Sequence, residues 1–223
     1  MTGVGVSTPA QAIGNTMNSD FEAFEGRNIN RFRIVNDDQV AGWSSTSNEI
    51  ELWRDGFQGV SAASGEHFIE LNARSASTLY QDLAGIAAGN QIDFSFYHRA
   101  RRGTDVLNFA ITDAGRDNLF GSDDDFTLFS QDYSATTANW VLNDSVNVSP
   151  ILALGNDVRV SYSAISTGSG NDTVGNFLDR AEIGISRTPS EDVPFEFESS
   201  VGLMLMGGAF VMHRRKKKRQ ASA

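Results

Sequence analysis

The sequence predicts an all-β, antiparallel sandwich followed by a membrane-spanning tail. Three observations carry that expectation: short alternating apolar runs separated by turn residues, the lack of a sustained helical period over residues 13–188, and an apolar stretch ending on six consecutive basic residues. Many half-wet strands without intervening helices close into two packed antiparallel layers. A chain of 223 residues is long enough for one such domain with appendages.

Taken in order, "RFRIV" opens the series of strands. In "NEIELW", Ile50 and Leu52 share one face, with Glu49, Glu51 and Trp53 on the other. "HFIEL" and "STLYQDL" follow. "QIDFSFYHR" sets Ile92, Phe94 and Phe96 against Asp93, Ser95 and Tyr97, and "DVLNFAIT" sets Leu107, Phe109 and Ile111 on one side. After "FTLFS" and "WVLN", "DVRVSYSAI" aligns Val158, Val160 and Tyr162, and "NFLDRAEIGI" places Phe177, Ala181, Ile183 and Ile185 inward. That makes about ten strands, joined by connectors rich in Gly, Asp, Asn and Ser. No internal repeat interrupts them, and one domain accounts for residues 13–188.

Charge is unevenly spread. Every lysine lies in the tail, at Lys216, Lys217 and Lys218, joined by Arg214, Arg215 and Arg219. Ahead of Val193, twelve basic residues face twenty-six acidic ones. A body this acidic argues against nucleic acid, whose phosphates require clustered cations. It suits a solvated surface, divalent cations or neutral partners such as sugars. Cysteine is absent, which excludes disulfide and thiol chemistry.

The two ends read as targeting segments. From Val193 to Met212 the chain holds 20 residues, close to the ~20 that cross ~30 Å of hydrocarbon. The basic cluster after it is a stop-transfer signal that would keep the tail, residues 213–223, in the cytoplasm. Val193, Pro194, Phe195 and Glu196 precede the apolar span, 197–212, whose first residue, Phe197, completes the motif. Together this stretch resembles the PEP-CTERM sorting signal, in the "VPFEF" variant familiar from cyanobacteria. The resemblance implies export, a transient membrane anchor, cleavage by an exosortase-type enzyme, and delivery to the cell surface or extracellular matrix. Near the start, Ala10-Gln11-Ala12 has the small-x-small pattern of a signal-peptidase site, so residues 1–12 read as the remnant of a signal peptide whose start codon was assigned too late.

The body carries a second resemblance. "MNSDFE", Gly42-Trp43, "IELWRDGFQGV", "GEHFIELNA", "FSFYHRARRG" and "GNFLDRAEIG" occur in an order similar to galactose-binding-like, carbohydrate-binding-module-like jelly rolls. The series departs from the usual pattern at Ser19, Ala100 and Arg180. The resemblance implies a structural calcium where the first and last strands meet, with Asp20, Glu22 and Asp179 as ligands. Independently, "DAGRDNLFGSDDDF" offers Asp117, Asp123 and Asp125, beside Asp113 and Asp124, as a second calcium candidate or a solvated acidic loop. "GSGNDT" (Gly168–Thr173) is similar to a single calcium-binding nonapeptide, but one copy cannot stack into a roll and reads as a turn.

Enzymatic signatures are missing. His67, His98 and His213 are the only histidines, and no nucleophile elbow or phosphate loop occurs. Sugar binding needs an aromatic face beside hydrogen-bonding side chains. Trp53, Arg54 and Phe57, with Arg99 and Arg101, supply those residue types, although tryptophans and arginines of a sandwich also serve as core residues and ion-pair partners. The expectation is an exported, non-enzymatic surface protein binding polysaccharide, with a matrix component acting by protein–protein association as the alternative. A hydrolase would require two carboxylates suitably spaced in a cleft.

Overall fold

The computed structural model describes residues 12–26 and 28–187. The sorting motif, the apolar span, the basic tail and nearly all of the leader remnant lie outside them. Among the described residues, no helix is long and apolar enough to cross a membrane.

Among the described residues, thirteen strands form two antiparallel sheets. The larger contains β10 (Val141–Asp144), β7 (Gln91–Arg99), β13 (Phe177–Ser186), β5 (His67–Glu70), β4 (Glu49–Arg54) and β2 (Phe32–Asn36) in that spatial order. Short β1 (Ala12–Asn15) pairs with β13, and β11 (Ile151–Leu152) with β7. The smaller sheet runs β3 (Ser44–Ser45), β6 (Thr78–Leu83), β12 (Val158–Ser166), β8 (Thr104–Asp113), β9 (Phe126–Thr136). The short strands β1, β3 and β11 were not legible in the sequence, because two to four residues carry too little alternation.

Inward positions of β7, β8 and β12 fill the space between the sheets as their period-two pattern requires. Phe94 packs on Phe109 with ring centroids 4.5 Å apart, and Tyr162 lies 5.0 Å from Phe109. Trp43 closes one side of the core, its indole N–H donating to the Asn18 carbonyl at 2.9 Å.

Two expectations fail for physical reasons. Phe177 is not part of the inter-sheet core. A bulge in β13 between Asp179 and Glu182, with Arg180 at φ +47°, inserts one residue. It shifts the alternation, so that Leu178 and Ala181 point inward while Phe177 points to the opposite face. Glu51 and Trp53 are not on a wet face either: both are buried, because a second layer covers that side of the larger sheet.

Candidate functional site

The second layer is built around three aromatic residues standing abreast on the outer face of the larger sheet. Strand register places Phe32 opposite Trp53, and Trp53 opposite Phe68. Alternation then points all three side chains the same way. Phe177 joins them from β13, its ring 4.9 Å from Trp53 and 5.0 Å from Phe68. The segment after β4 turns back through Gly56 (φ +78°) and lays Phe57, Val60 and Ala62 over the row. Trp140 covers Phe68 edge-on, its indole N–H donating to the Ser61 carbonyl at 2.7 Å.

Trp53 is therefore a pillar rather than a surface platform. It has no exposed area. Its ring meets the Arg101 guanidinium at 4.6 Å, Phe57 at 5.0 Å and Phe32 at 5.8 Å. The aromatic surface offered to solvent comes foremost from Phe32, which is 47% exposed and stacked on Trp53 at an interplanar angle of 25°, with half-buried Phe57 at 6.0 Å from it and half-buried Trp140 beside Phe68. Phe32 went unnoticed in the sequence: in "RFRIV" nothing but its position opposite Trp53 marks it. Arg54, the last residue of β4, is partly exposed and paired with Glu66.

Beside the row, on the same face of the sheet, lies a buried polar hub. Glu51 and Glu70 are cross-strand partners on β4 and β5. Trp53 donates its indole N–H to Glu51 at 3.0 Å, and Arg101 donates to both oxygens of Glu70 at 2.9 and 3.1 Å. Burial pushes the Glu51 carboxyl up to about 8, helped by the like charge of Glu70, and burial pushes Glu70 up to about 7. Buried Asp105 fastens the surrounding loops by accepting from the amides of Arg101, Gly168 and Asn176. His98, fully buried and bonded to Asn176 at 3.1 Å, is held down to about 4 by burial and stays neutral. Arg99 lies on the same outer face of β7 but joins no ion pair among the described residues. The structure thus gathers Trp53, Phe57 and Arg101 around one patch, with Arg99 opposite Phe177 on the same outer face, whereas Arg54, one residue on from Trp53, is paired with Glu66.

The calcium candidates are arranged differently from expectation. Glu22 accepts from the amides of Glu66 and His67 and pairs with His67 Nδ1 at 2.6 Å. Asp179 accepts from the amides of Ala63 and Ser64 at 2.7 and 2.9 Å, and from Arg180 at 2.7 Å. Burial, with Asp20 nearby, raises Asp179 to about 7. Both carboxylates clamp one loop, residues 63–67, and their oxygens are turned to amide donors, not to a common centre. Asp117 and Asp125 likewise bond to amides within their own turn, and Asp123 is exposed. Among the described residues no three acidic or imidazole side chains gather to hold a metal. Gly168–Thr173 forms the turn between β12 and β13.

On the solvent face of the smaller sheet, Arg159 presents a second aromatic feature that the sequence did not disclose. Its guanidinium lies 4.0 Å over Tyr80 and 4.3 Å over Phe120, and bonds Asp82 through Nε at 2.7 Å and Nη2 at 2.8 Å.

No protein-family model matches the chain, and no curated protein matches it. Solved structures do. The tandem CBM22-1–CBM22-2 domain of Xyn10C from Paenibacillus barcinonensis is similar over 82% of this chain and 51% of that one, at 14% identity and a TM-score of 0.50. TmCBM61, solved with β-1,4-galactotriose, is similar over 78% of this chain and 99% of that one, at 12% identity and a TM-score of 0.47. The CBM22-1 xylan-binding domain from Paenibacillus barcinonensis Xyn10C gives 82% and 99%, at 11% identity and 0.47. The chain has the antiparallel sandwich fold of carbohydrate-binding modules.

Proposed function

We propose that the protein is a non-catalytic polysaccharide-binding module exported to the cell surface. The observation that carries this reading is the Phe32 ring, held open to solvent on the fully buried Trp53. A flat apolar face fixed by a pillar can stack on a pyranose ring without losing side-chain freedom on binding. Arg101, its guanidinium over the Trp53 ring, and Arg99, opposite Phe177 on the same face, bring donors for hydroxyls to the aromatic row. Delivery follows from the sorting signal at Val193–Phe197 and the basic cluster Arg214–Arg219, with an exosortase-type enzyme as processing partner and the membrane as a transient one.

Affinity electrophoresis through gels containing one soluble polysaccharide each, galactans and xylans included, tests the binding. Retardation by at least one supports it, and unchanged mobility in every gel removes it. Mass spectrometry of the protein from its native surface tests the sorting: cleavage near Pro194 is expected, and an intact basic tail contradicts it.

One feature favours the second reading, a matrix component. Strand β9 is the eleven-residue edge of the smaller sheet, exposed along most of its length, with neither lysine nor proline to block pairing. Concentration-dependent association in the absence of glycan is its signature.

A further inference from the structure

One of the buried side-chain polar atoms without a hydrogen-bond partner among the described residues belongs to a guanidinium: Nε of Arg99. Arg99 joins none of the ion pairs among those residues either. A guanidinium stays charged and presents its N–H donors as a planar fork that matches an oxyanion such as a carboxylate. Leaving such a donor buried and unpaired costs free energy that an anion would recover.

Strand register sets this cation among the rings. Arg99 is opposite Phe177 on β13, and Trp140 is followed by Val141, the partner of His98 across the other edge of β7. Arg99 and Phe32 therefore mark the two ends of the aromatic row, which crosses β7, β13, β5, β4 and β2 in that order. Neighbouring strands lie ~4.8 Å apart, so four spacings separate the ends by ~19 Å, the reach of a short oligosaccharide. Positive charge is concentrated at the Arg99 end. Three of the twelve basic residues ahead of Val193 are Arg99, Arg101 and exposed Arg102. Of these, Arg101 is paired, with Glu70. Burial lifts Glu51 to about 8 and Glu70 to about 7, so near neutrality the hub offsets this charge only in part. Asp105 turns its oxygens to backbone amides.

We propose that the aromatic row takes an acidic glycan, Arg99 forking onto a carboxylate or sulfate group while Phe32 stacks on a sugar ring further along the same chain. The inference rests on the polysaccharide-binding reading and narrows it to anionic polymers. Arg99 supplies the selectivity, because a neutral sugar offers it hydroxyls alone and leaves its charge unmatched.

Affinity electrophoresis of the full chain compares polygalacturonate with its carboxyl-reduced form, and a sulfated galactan with its desulfated form. The basic cluster Arg214–Arg219 also attracts polyanions. Arg99→Gln, which breaks no ion pair among the described residues, is therefore run beside the wild type. The wild type should be retarded more by the acidic member of at least one pair, and the pair that responds tells carboxylate from sulfate. Arg99→Gln should lose about tenfold in affinity for that member, with its thermal midpoint unchanged. Should it not fold, Arg99→Lys, which keeps the charge but not the fork, must still weaken that retention. Equal or greater retardation by the neutral members overturns the inference and leaves the glycan reading standing. Retention by the acidic member that persists undiminished in folded Arg99→Gln belongs to the tail and overturns it too. No retardation in any gel removes the glycan reading itself, and the inference with it.

Discussion

Glu51 and Glu70 face each other directly across β4 and β5, both buried, with one arginine, Arg101, bonded to the pair through Glu70. Burial strips both carboxyls of water, and the like charge of Glu70 adds to the effect on Glu51, so the pair holds protons that exposed glutamates would have lost. The neighbouring groups are fixed: the Trp53 indole on Glu51, the Gly175 amide at 2.6 Å on Glu70, and Arg74 at longer range.

This arrangement sets the alkaline limit of stability. In the unfolded chain these carboxyls ionise near 4.5, whereas in the fold they hold protons until about 8 and about 7, and Asp179 until about 7. A raised folded-state pKa contributes stability that is complete below the unfolded value and is lost as pH climbs through the folded one. His98 opposes this between about 4 and 6.5, where the unfolded chain binds its proton and the fold does not. The midpoint of thermal unfolding should therefore fall from about pH 5 to about pH 8, most steeply between about 6 and 7, above which Glu51 is the last of the three still to lose its proton. Glu51→Gln, which still accepts from Trp53, should flatten that slope and stabilise the protein at pH 8.5 by about 1–2 kcal/mol. A slope unchanged by Glu51→Gln would show that the pair does not control it.

Arg159 ties the β8–β9 turn to the smaller sheet by stacking between Tyr80 and Phe120 while forking onto Asp82. Lysine cannot reproduce a planar fork held between two rings. Arg159→Lys should destabilise by about 1 kcal/mol, the partly exposed ion pair contributing little beyond the stacking. Faster hydrogen exchange at residues 116–121 should accompany it. Exchange unchanged in that turn would mean that Phe120 is held by other contacts.

Support and contact should separate cleanly at the aromatic row. Trp53→Ala removes a ring packed against Phe68, Phe177, Phe57 and Arg101 and should cost about 3–5 kcal/mol, measured by urea unfolding. Phe32→Ala removes a half-exposed ring and should cost at most about 1 kcal/mol. Equal losses for the two would place Phe32 in the core.

The inter-sheet core was legible because β7 and β8 bury one face and wet the other: Ile92, Phe94 and Phe96, with Leu107, Phe109 and Ile111, fell on the faces that alternation assigned. Alternation could not reveal that the far side of β4 is also covered, since Val60, Ala62 and Trp140 arrive from connecting segments. Nor could it reveal the bulge at Arg180, one extra residue that moves Phe177 across the sheet. The site residues were half legible for the same reason. Trp53, Phe57, Arg99 and Arg101 were recognised by residue type, but which ring is buried and which is offered depends on cross-strand register. Acidic density marked the β8–β9 turn, but Asp113 differs from its neighbours in being fully buried, where it accepts from the Gly115 amide and Asn156.

Isothermal titration of wild type and Phe32→Ala with a polysaccharide retained in affinity electrophoresis puts the exposed ring to the test. A loss of at least tenfold in affinity, about 1.4 kcal/mol, with the thermal midpoint nearly unchanged, is the expected result. Undiminished affinity in a folded Phe32→Ala protein would contradict it and move any glycan site away from the aromatic row.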